Sequence, residues 1–287
     1  MTDEALARIT QLVGEGEVFQ ALPRESQDAI RALSRAELEA GLRRVTTRPI
    51  PGEVSQGSRL LLNPCLAAQW ASVFEALALP RNLHVYEPCT GSSEPVLLAT
   101  QIHSGGAGSY VSVNLNQPLA AELHAKIQKL TIAIRLIEDD AAAADLSQMS
   151  GSFDVACFHH ALNDLLQTAV AEDHGWDTRQ LDWWAAERQM IEWLAEEAAA
   201  GRLEGRPKQA VVGAVRNAIE LLKPGGVLLC DHWTWEAYRH VPWFPWELFQ
   251  QLIPLARRWI HEEGLPVEEI PFPEADQQWW FAFRKKL

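Results

Sequence analysis

From Leu83 onward the chain alternates short apolar runs with stretches of helical periodicity, and this alternation restricts the fold more than any other feature. The apolar runs are Val85-Tyr86, Tyr110–Val113, Ile132–Ile137, Phe153–Phe158 and Val227–Cys230. Between them, apolar residues recur at helical spacing, as in Leu119, Leu123, Ile127 and Leu130, or Val212, Val215, Ile219 and Leu222. A helical stretch is expected over 176–200 and another over 246–260. Five such strands with intervening helices predict an α/β fold with a mostly parallel sheet covered on both faces. Two closing strands, Val267–Phe272 and Trp279–Arg284, are joined by a short Pro/Asp loop and are expected to form an antiparallel hairpin.

The first 80 residues read differently. Residues 3–44 have helical spacing, with Ser26 as a candidate cap, and the Thr46–Gly52 segment breaks it with two prolines and a glycine. A second helix is expected from Leu66 to Leu77, stopped by Pro80. The division expected is therefore an N-terminal helical cap over 1–80 and an α/β domain over 81–287. Within the latter, a helical lid insertion is expected at about 168–208. The formal net charge of -13 repels phosphate backbones and anionic lipid, so nucleic acid and membrane surfaces are excluded as expected partners. The N-terminal MTDEALARIT has no apolar signal core, and the four cysteines form no CxxC pair; both point to a cytoplasmic protein with reduced thiols.

The first strand ends on Glu87, and a turn of small residues, Pro88-Cys89-Thr90-Gly91-Ser92-Ser93, leads into a helix. Strand, acid, loop and helix in that order place a carboxylate and a set of backbone N–H groups at one sheet edge. A ligand bearing hydroxyls and charges can be held there.

The series VYEPCTGSS, VSVNLNQPLAAEL, IEDDAAAADL, FDVACFHHALNDLL and LLKPGGVLLCDHW, in this order over 83–287, resembles the class I S-adenosylmethionine-dependent methyltransferase superfamily. The resemblance implies a Rossmann-like seven-stranded sheet whose last strand is antiparallel. It also implies S-adenosyl-L-methionine lying across the carboxyl ends of the strands. By position, Glu87, Thr90 and Gly91 belong to the cofactor loop, and Asn114 stands where the family has an acid on the ribose hydroxyls. Asp139 or Asp140 would face the adenine, and His159 the methionine end. The chain departs from the family at Cys89 and Ser93, which replace glycines, and at Asn114, a neutral acceptor in place of a charged one.

His160 and Asp164 follow the fourth strand and are the candidate catalytic base and orienting group. The alternative for this HHALND segment is helix capping and packing. Glu87 likewise either meets a ligand or pairs with a cation of the helical cap. His159, His160, Asp164, Asp231 and His232 could form a His/carboxylate metal site, but no spacing enforces one and no metal is expected. Of the twelve tryptophans, Trp70, Trp259 and Trp280 are expected in the core. Trp184, Trp233 and Trp235, with His232, are expected at a substrate site, where aromatic walls suit a cationic or planar molecule. The leading expectation is a methyltransferase acting on a small molecule. Two alternatives remain: an enzyme attacking the cofactor's amino-acid side chain, releasing methylthioadenosine, or a family member that binds a metabolite without chemistry. Neither the acceptor atom nor the oligomeric state is encoded in these motifs.

Overall fold

The computed structural model describes residues 3–52, 55–127, 130–271 and 276–287. Four helices, α1 (Asp3–Gly14), α2 (Glu17–Ala21), α3 (Arg24–Arg31) and α4 (Arg35–Thr46), are followed by the long α5 (Gln56–Ala76). The breaks between the first four fall at Gly16, Pro23 and Ser34. Ser34 and Glu37 form a reciprocal capping box at the start of α4. Ser26 is inside α3 and caps nothing, because Pro23 already starts that helix. The helix expected from Leu66 begins ten residues earlier, where Ser55 and Ser58 cap it, and Pro64 lies within it.

The α/β part follows: β1 (His84–Pro88), α6 (Pro95–Ser104), β2 (Ser109–Val113), α7 (Gln117–Lys126), β3 (Ala133–Ile137), β4 (Phe153–His159), α8 (Leu162–Asp173), α9 (Trp183–Ala199), α10 (Arg206–Leu221), β5 (Leu222–Asp231), α11 (Trp246–Glu262), β6 (Val267–Glu269) and β7 (Trp280–Lys285). The strands form one seven-stranded sheet in the order β3-β2-β1-β4-β5-β7-β6. Pairings among β1 to β5 are parallel, and β7 runs antiparallel to both β5 and β6. The closing hairpin is thus present. Its first strand is shorter than expected, and Phe272 lies outside the described residues. The helical stretch expected over 176–200 starts only at Trp183, where the Asp182 side chain accepts from Ala185 N–H at 3.1 Å.

Side-chain parity along the strands sorts the core into two layers. Tyr86, Val111, Ala156, Phe158, Leu228 and Cys230 face one way, onto α8, α10 and α11. Val85, Tyr110, Val155, Cys157, Val227 and Leu229 face the other way, with Trp70 and Phe74 of α5. Trp70, Trp259 and Trp280 are all buried, as expected. α5 carries Trp70 into the sheet's own core, so the last of the N-terminal helices packs directly on the sheet. The N-terminal helices form a second cluster with Leu98 of α6 and with Trp235 beyond β5.

The same parity decides where the polar strand ends go. Glu87, Ser112, His159 and Asp231 continue the series 85, 110, 157 and 229, so all four point to the α5 side of the sheet. His160, one residue further, points elsewhere.

Candidate functional site

On the α5 side of the sheet the strand ends form a closed polar cluster. Glu87, 1% exposed, accepts a short hydrogen bond from the Tyr110 hydroxyl. Thr90 Oγ1 lies 2.6 Å from Ser112 Oγ and 3.1 Å from the Tyr110 hydroxyl. His159 Nδ1 is 2.8 Å from Asp231 Oδ1 and 3.1 Å from Trp70 Nε1. One ring nitrogen cannot donate to the carboxylate and accept from the indole at once. The shorter contact to a charged acceptor is the stronger, so the proton belongs on Nδ1 and is donated to Asp231. Burial pushes the Glu87 carboxyl up to about 8, against the opposing pull of His159 and the Tyr110 hydrogen bond. Burial alone would lower the His159 imidazole, but the charge and hydrogen bond of Asp231, with the charge of Glu87, carry it above its ordinary value. Arg48, half-buried and bonded to the Val45 and Thr47 carbonyls and Gln69, adds a nearby positive charge that no motif in the chain marks.

Two cavities open at the carboxyl edge of the sheet. The larger, of about 460 Å³, is lined by His160, Asn163, Asp164, Trp183, Trp184, Glu187, Trp233, Trp235 and Tyr238, with Arg59 and Leu62 of α5 opposite. This volume falls within the range of small-molecule pockets. His160 turns the chain sharply out of β4 at φ 51°, a left-handed conformation that a non-glycine residue adopts at a cost of roughly 1–3 kcal/mol. Its N–H donates to the Asp231 carbonyl at 3.1 Å, and its ring stacks between His232 (4.5 Å) and Trp233 (4.4 Å). Burial, then the neighbouring His232 and His159, hold the His160 imidazole well below its ordinary value, and burial pushes His232 down to about 3. Both are neutral at pH 7. Asp164 is held well above the usual carboxylate range by burial and then by the charge of Glu187, and Glu187 is itself raised by burial.

The smaller cavity, of about 30 Å³, lies over the loop after β1, lined by Cys89, Gly91, Asn114, Asn116, Leu119, Asp164, Thr178 and Trp183. Cys89 (φ 57°) and Gly91 (φ 59°) are both left-handed, which lets this loop double back. Asn114 Nδ2 donates to the Gly91 carbonyl at 2.7 Å. The segment 176–182 is laid across the cleft: Asn116 donates to the Thr178 and Leu181 carbonyls, both at 2.8 Å, and Gln117 N–H to the Arg179 carbonyl at 2.9 Å. Trp183 then seals it against Leu119. Asn116 also caps α7 through Leu119 N–H.

Of the residues expected at the cofactor, Gly91 and Asn114 line this cleft. Glu87, Thr90 and His159 are held in the buried cluster and line neither cavity. Asp139 is exposed and Asp140 half-buried, and their carboxylates accept from Asp140 and Ala142 N–H within their own turn. Of the expected catalytic and substrate residues, His160, Asp164, Trp184, Trp233 and Trp235 meet at the larger cavity, whereas His232 lies behind His160. Among the described residues no group of His, Cys, Asp and Glu converges as a metal site. Glu187 was not anticipated. It sits one turn beyond Trp183 on α9, and the series 183, 187, 191 marks a single helical face on which it can be found.

The cleft's polar groups suit S-adenosylmethionine: the Asn114 amide for ribose hydroxyls, and the buried Thr178 hydroxyl, which has no hydrogen-bond partner among the described residues. Its volume does not, since 30 Å³ is about the share of one water, against roughly 300 Å³ or more for ligand pockets. Segment 176–183 must lift for such a molecule to enter. Replacing Asn116 by serine keeps the α7 cap but removes the two side-chain ties from Asn116 to this segment, leaving the Gln117 N–H bond to the Arg179 carbonyl. Amide exchange over 176–182 is expected to speed up at least tenfold in Asn116→Ser with α7 still protected, and unchanged exchange would show that the segment is held by other contacts.

No protein-family model matches the chain, and no curated protein is similar to it in sequence. Solved structures are similar in arrangement. An S-adenosylmethionine-dependent O-methyltransferase from Thermotoga maritima is 11% identical with a TM-score of 0.42, covering 76% of this chain and 65% of that one. A methyltransferase of the same dependence from Aquifex aeolicus is 12% identical with a TM-score of 0.45, covering 75% and 87%. The (4+2)-cyclase SpnF is 12% identical with a TM-score of 0.38, covering 77% and 81%. The chain's own sheet has seven strands in the order β3-β2-β1-β4-β5-β7-β6 with β7 alone reversed, the mostly parallel α/β arrangement that its motifs led one to expect.

Proposed function

We propose that the chain is a cytoplasmic S-adenosylmethionine-dependent methyltransferase for a small-molecule acceptor. The observation that carries this reading is that the acceptor-sized cavity and the cleft over the β1 loop share two walls, Asp164 and Trp183. A molecule in one would abut a molecule in the other. Gly91 and Asn114 are the residues that would hold the cofactor, and when bound it supplies a sulfonium methyl group to an aligned nucleophile. The chain's part is orientation and exclusion of water, the larger contribution in such a transfer. His160, neutral and lining the cavity, is the candidate group to take a proton from an acceptor hydroxyl or amine. Trp233 and Trp235 shape the opposite wall.

The enclosure by α5 and α9 favours a small molecule over nucleic acid, as does the charge of -13. Titration calorimetry with S-adenosylmethionine tests the reading. Binding is expected to be weak in the native chain, because opening segment 176–183 costs free energy, and about tenfold tighter in Asn116→Ser. No heat at millimolar ligand in either protein would overturn it. Product analysis then separates methyl transfer, which yields S-adenosylhomocysteine, from attack on the amino-acid chain, which yields methylthioadenosine.

A further inference from the structure

The larger cavity holds two carboxyl groups from different helices, Asp164 on α8 and Glu187 on α9, within a wall of indole rings. Neither carboxyl has an ion-pair partner among the described residues. Asp164 accepts only from the neighbouring Asn163 amide, at 2.7 Å, and Glu187 accepts from nothing described. This contrasts with the rest of α9 and its surroundings, where Arg188 pairs with Glu192, Arg202 with Glu197 and Arg206 with Glu172 and Asp173. Two acids in an apolar wall without a counter-charge are costly when ionised, and burial accordingly raises both. A ligand cation supplies the missing charge. The indole faces add to it, because a cation over an aromatic ring is attracted by the ring's quadrupole. That interaction already exists at the rim, where the Arg188 guanidinium stands 5.3 Å from the Trp243 ring centre. The net charge of -13 attracts cations over longer distances. Arg59, the one Lys or Arg among its described lining residues, is exposed at its edge, and Arg188 at the rim is already paired with Glu192, so an anionic ligand would meet solvated cations and two opposed acids.

We propose that this cavity binds an organic cation, a protonated amine joined to a flat apolar body, whose nitrogen becomes a nucleophile on losing its proton. The cationic end lies at Asp164 and Glu187, and the flat body lies against Trp233 and Trp235. The inference rests on the cavity being the acceptor site, and it names the acceptor's chemical class.

Calorimetry on the full chain without cofactor tests it, using four probes of similar size: benzyltrimethylammonium, phenethylamine, 2-phenylethanol and 3-phenylpropionate. The two cations are expected to bind at least tenfold more tightly than the alcohol, and the propionate more weakly still. Glu187→Gln, with folding checked by thermal melting, is expected to weaken both cations about tenfold and leave the alcohol unchanged. Equal affinity for charged and neutral probes, preference for the propionate, absence of binding by all four, or an unaltered cation affinity in Glu187→Gln would each overturn the assignment. Because S-adenosylmethionine is absent from this titration, cation binding with no cofactor binding would leave the amine site standing and remove the methyltransferase reading alone.

Discussion

Replacing Asp231 with alanine is expected to lower the free energy of unfolding by about 3–5 kcal/mol, the range for removing one partner of a buried ion pair. Asp231 ends β5 opposite His159 at the end of β4, and both side chains are at most 2% exposed. Without the carboxylate, the Nδ1–H of His159 loses its acceptor, and Oδ1 no longer receives the His160 N–H at 3.2 Å. Among the described residues, the remaining neighbour of Nδ1 is the Trp70 indole, which is itself a donor. The imidazole must then switch tautomer, and the left-handed turn at His160 loses one of its two anchors. Asp231→Asn keeps an acceptor oxygen and is expected to cost about half as much. Urea denaturation measures both, and a loss below about 1 kcal/mol in Asp231→Ala would show that the pair does not hold the β4–β5 edge.

Glu87→Gln is expected to change how stability depends on pH. The carboxyl has an ordinary value of 4.5 and is raised to about 8 in the fold, chiefly by burial. A folded-state value above the unfolded one favours the protonated, folded form. This contribution is fully present below about pH 4.5 and is lost as pH rises through about 8. At 1.36 kcal/mol per pH unit of difference, the loss across that window is on the order of a few kcal/mol. His159, also raised, contributes with the same sign over its own range. The native protein is therefore expected to melt at progressively lower temperature between pH 5 and 8.5. Glu87→Gln, whose amide oxygen still accepts from Tyr110, should follow a flatter curve and be the more stable protein at the alkaline end. Parallel curves for the two proteins would mean that Glu87 is ionised in the fold at neutral pH and that Tyr110 and its neighbours stabilise the charge.

Much of the sheet was legible because period-two and period-3.6 patterns are local. Val85-Tyr86, Tyr110–Val113 and Phe153–Phe158 each announce a strand buried on both faces, and all three lie at its centre. Site residues were legible in part. His160 and Asp164 reach the cavity because they follow β4 directly, at the carboxyl edge where such sheets hold ligands. Glu87 and His159 follow the same positional logic yet point under α5, because strand parity and the Trp70 indole draw them into the core. The segment 176–182 reads as the start of a helix, but its carbonyls are taken by Asn116 and Gln117, some 60 residues away in sequence.

The sequence by itself determined the order of strands and helices, the sharp turns at the strand ends, and the acidic net charge. These are consequences of side chains acting on their own backbone and on bulk solvent. Only the tertiary structure decided which acid is sealed and which lines a cavity, that Glu187 joins Asp164, and that the cleft over the β1 loop is shut. Each of these depends on which helix comes to lie against a given strand end. That is set by packing between surfaces distant in the chain, where burial and the presence or absence of a partner determine both the charge of a carboxyl and what it can bind.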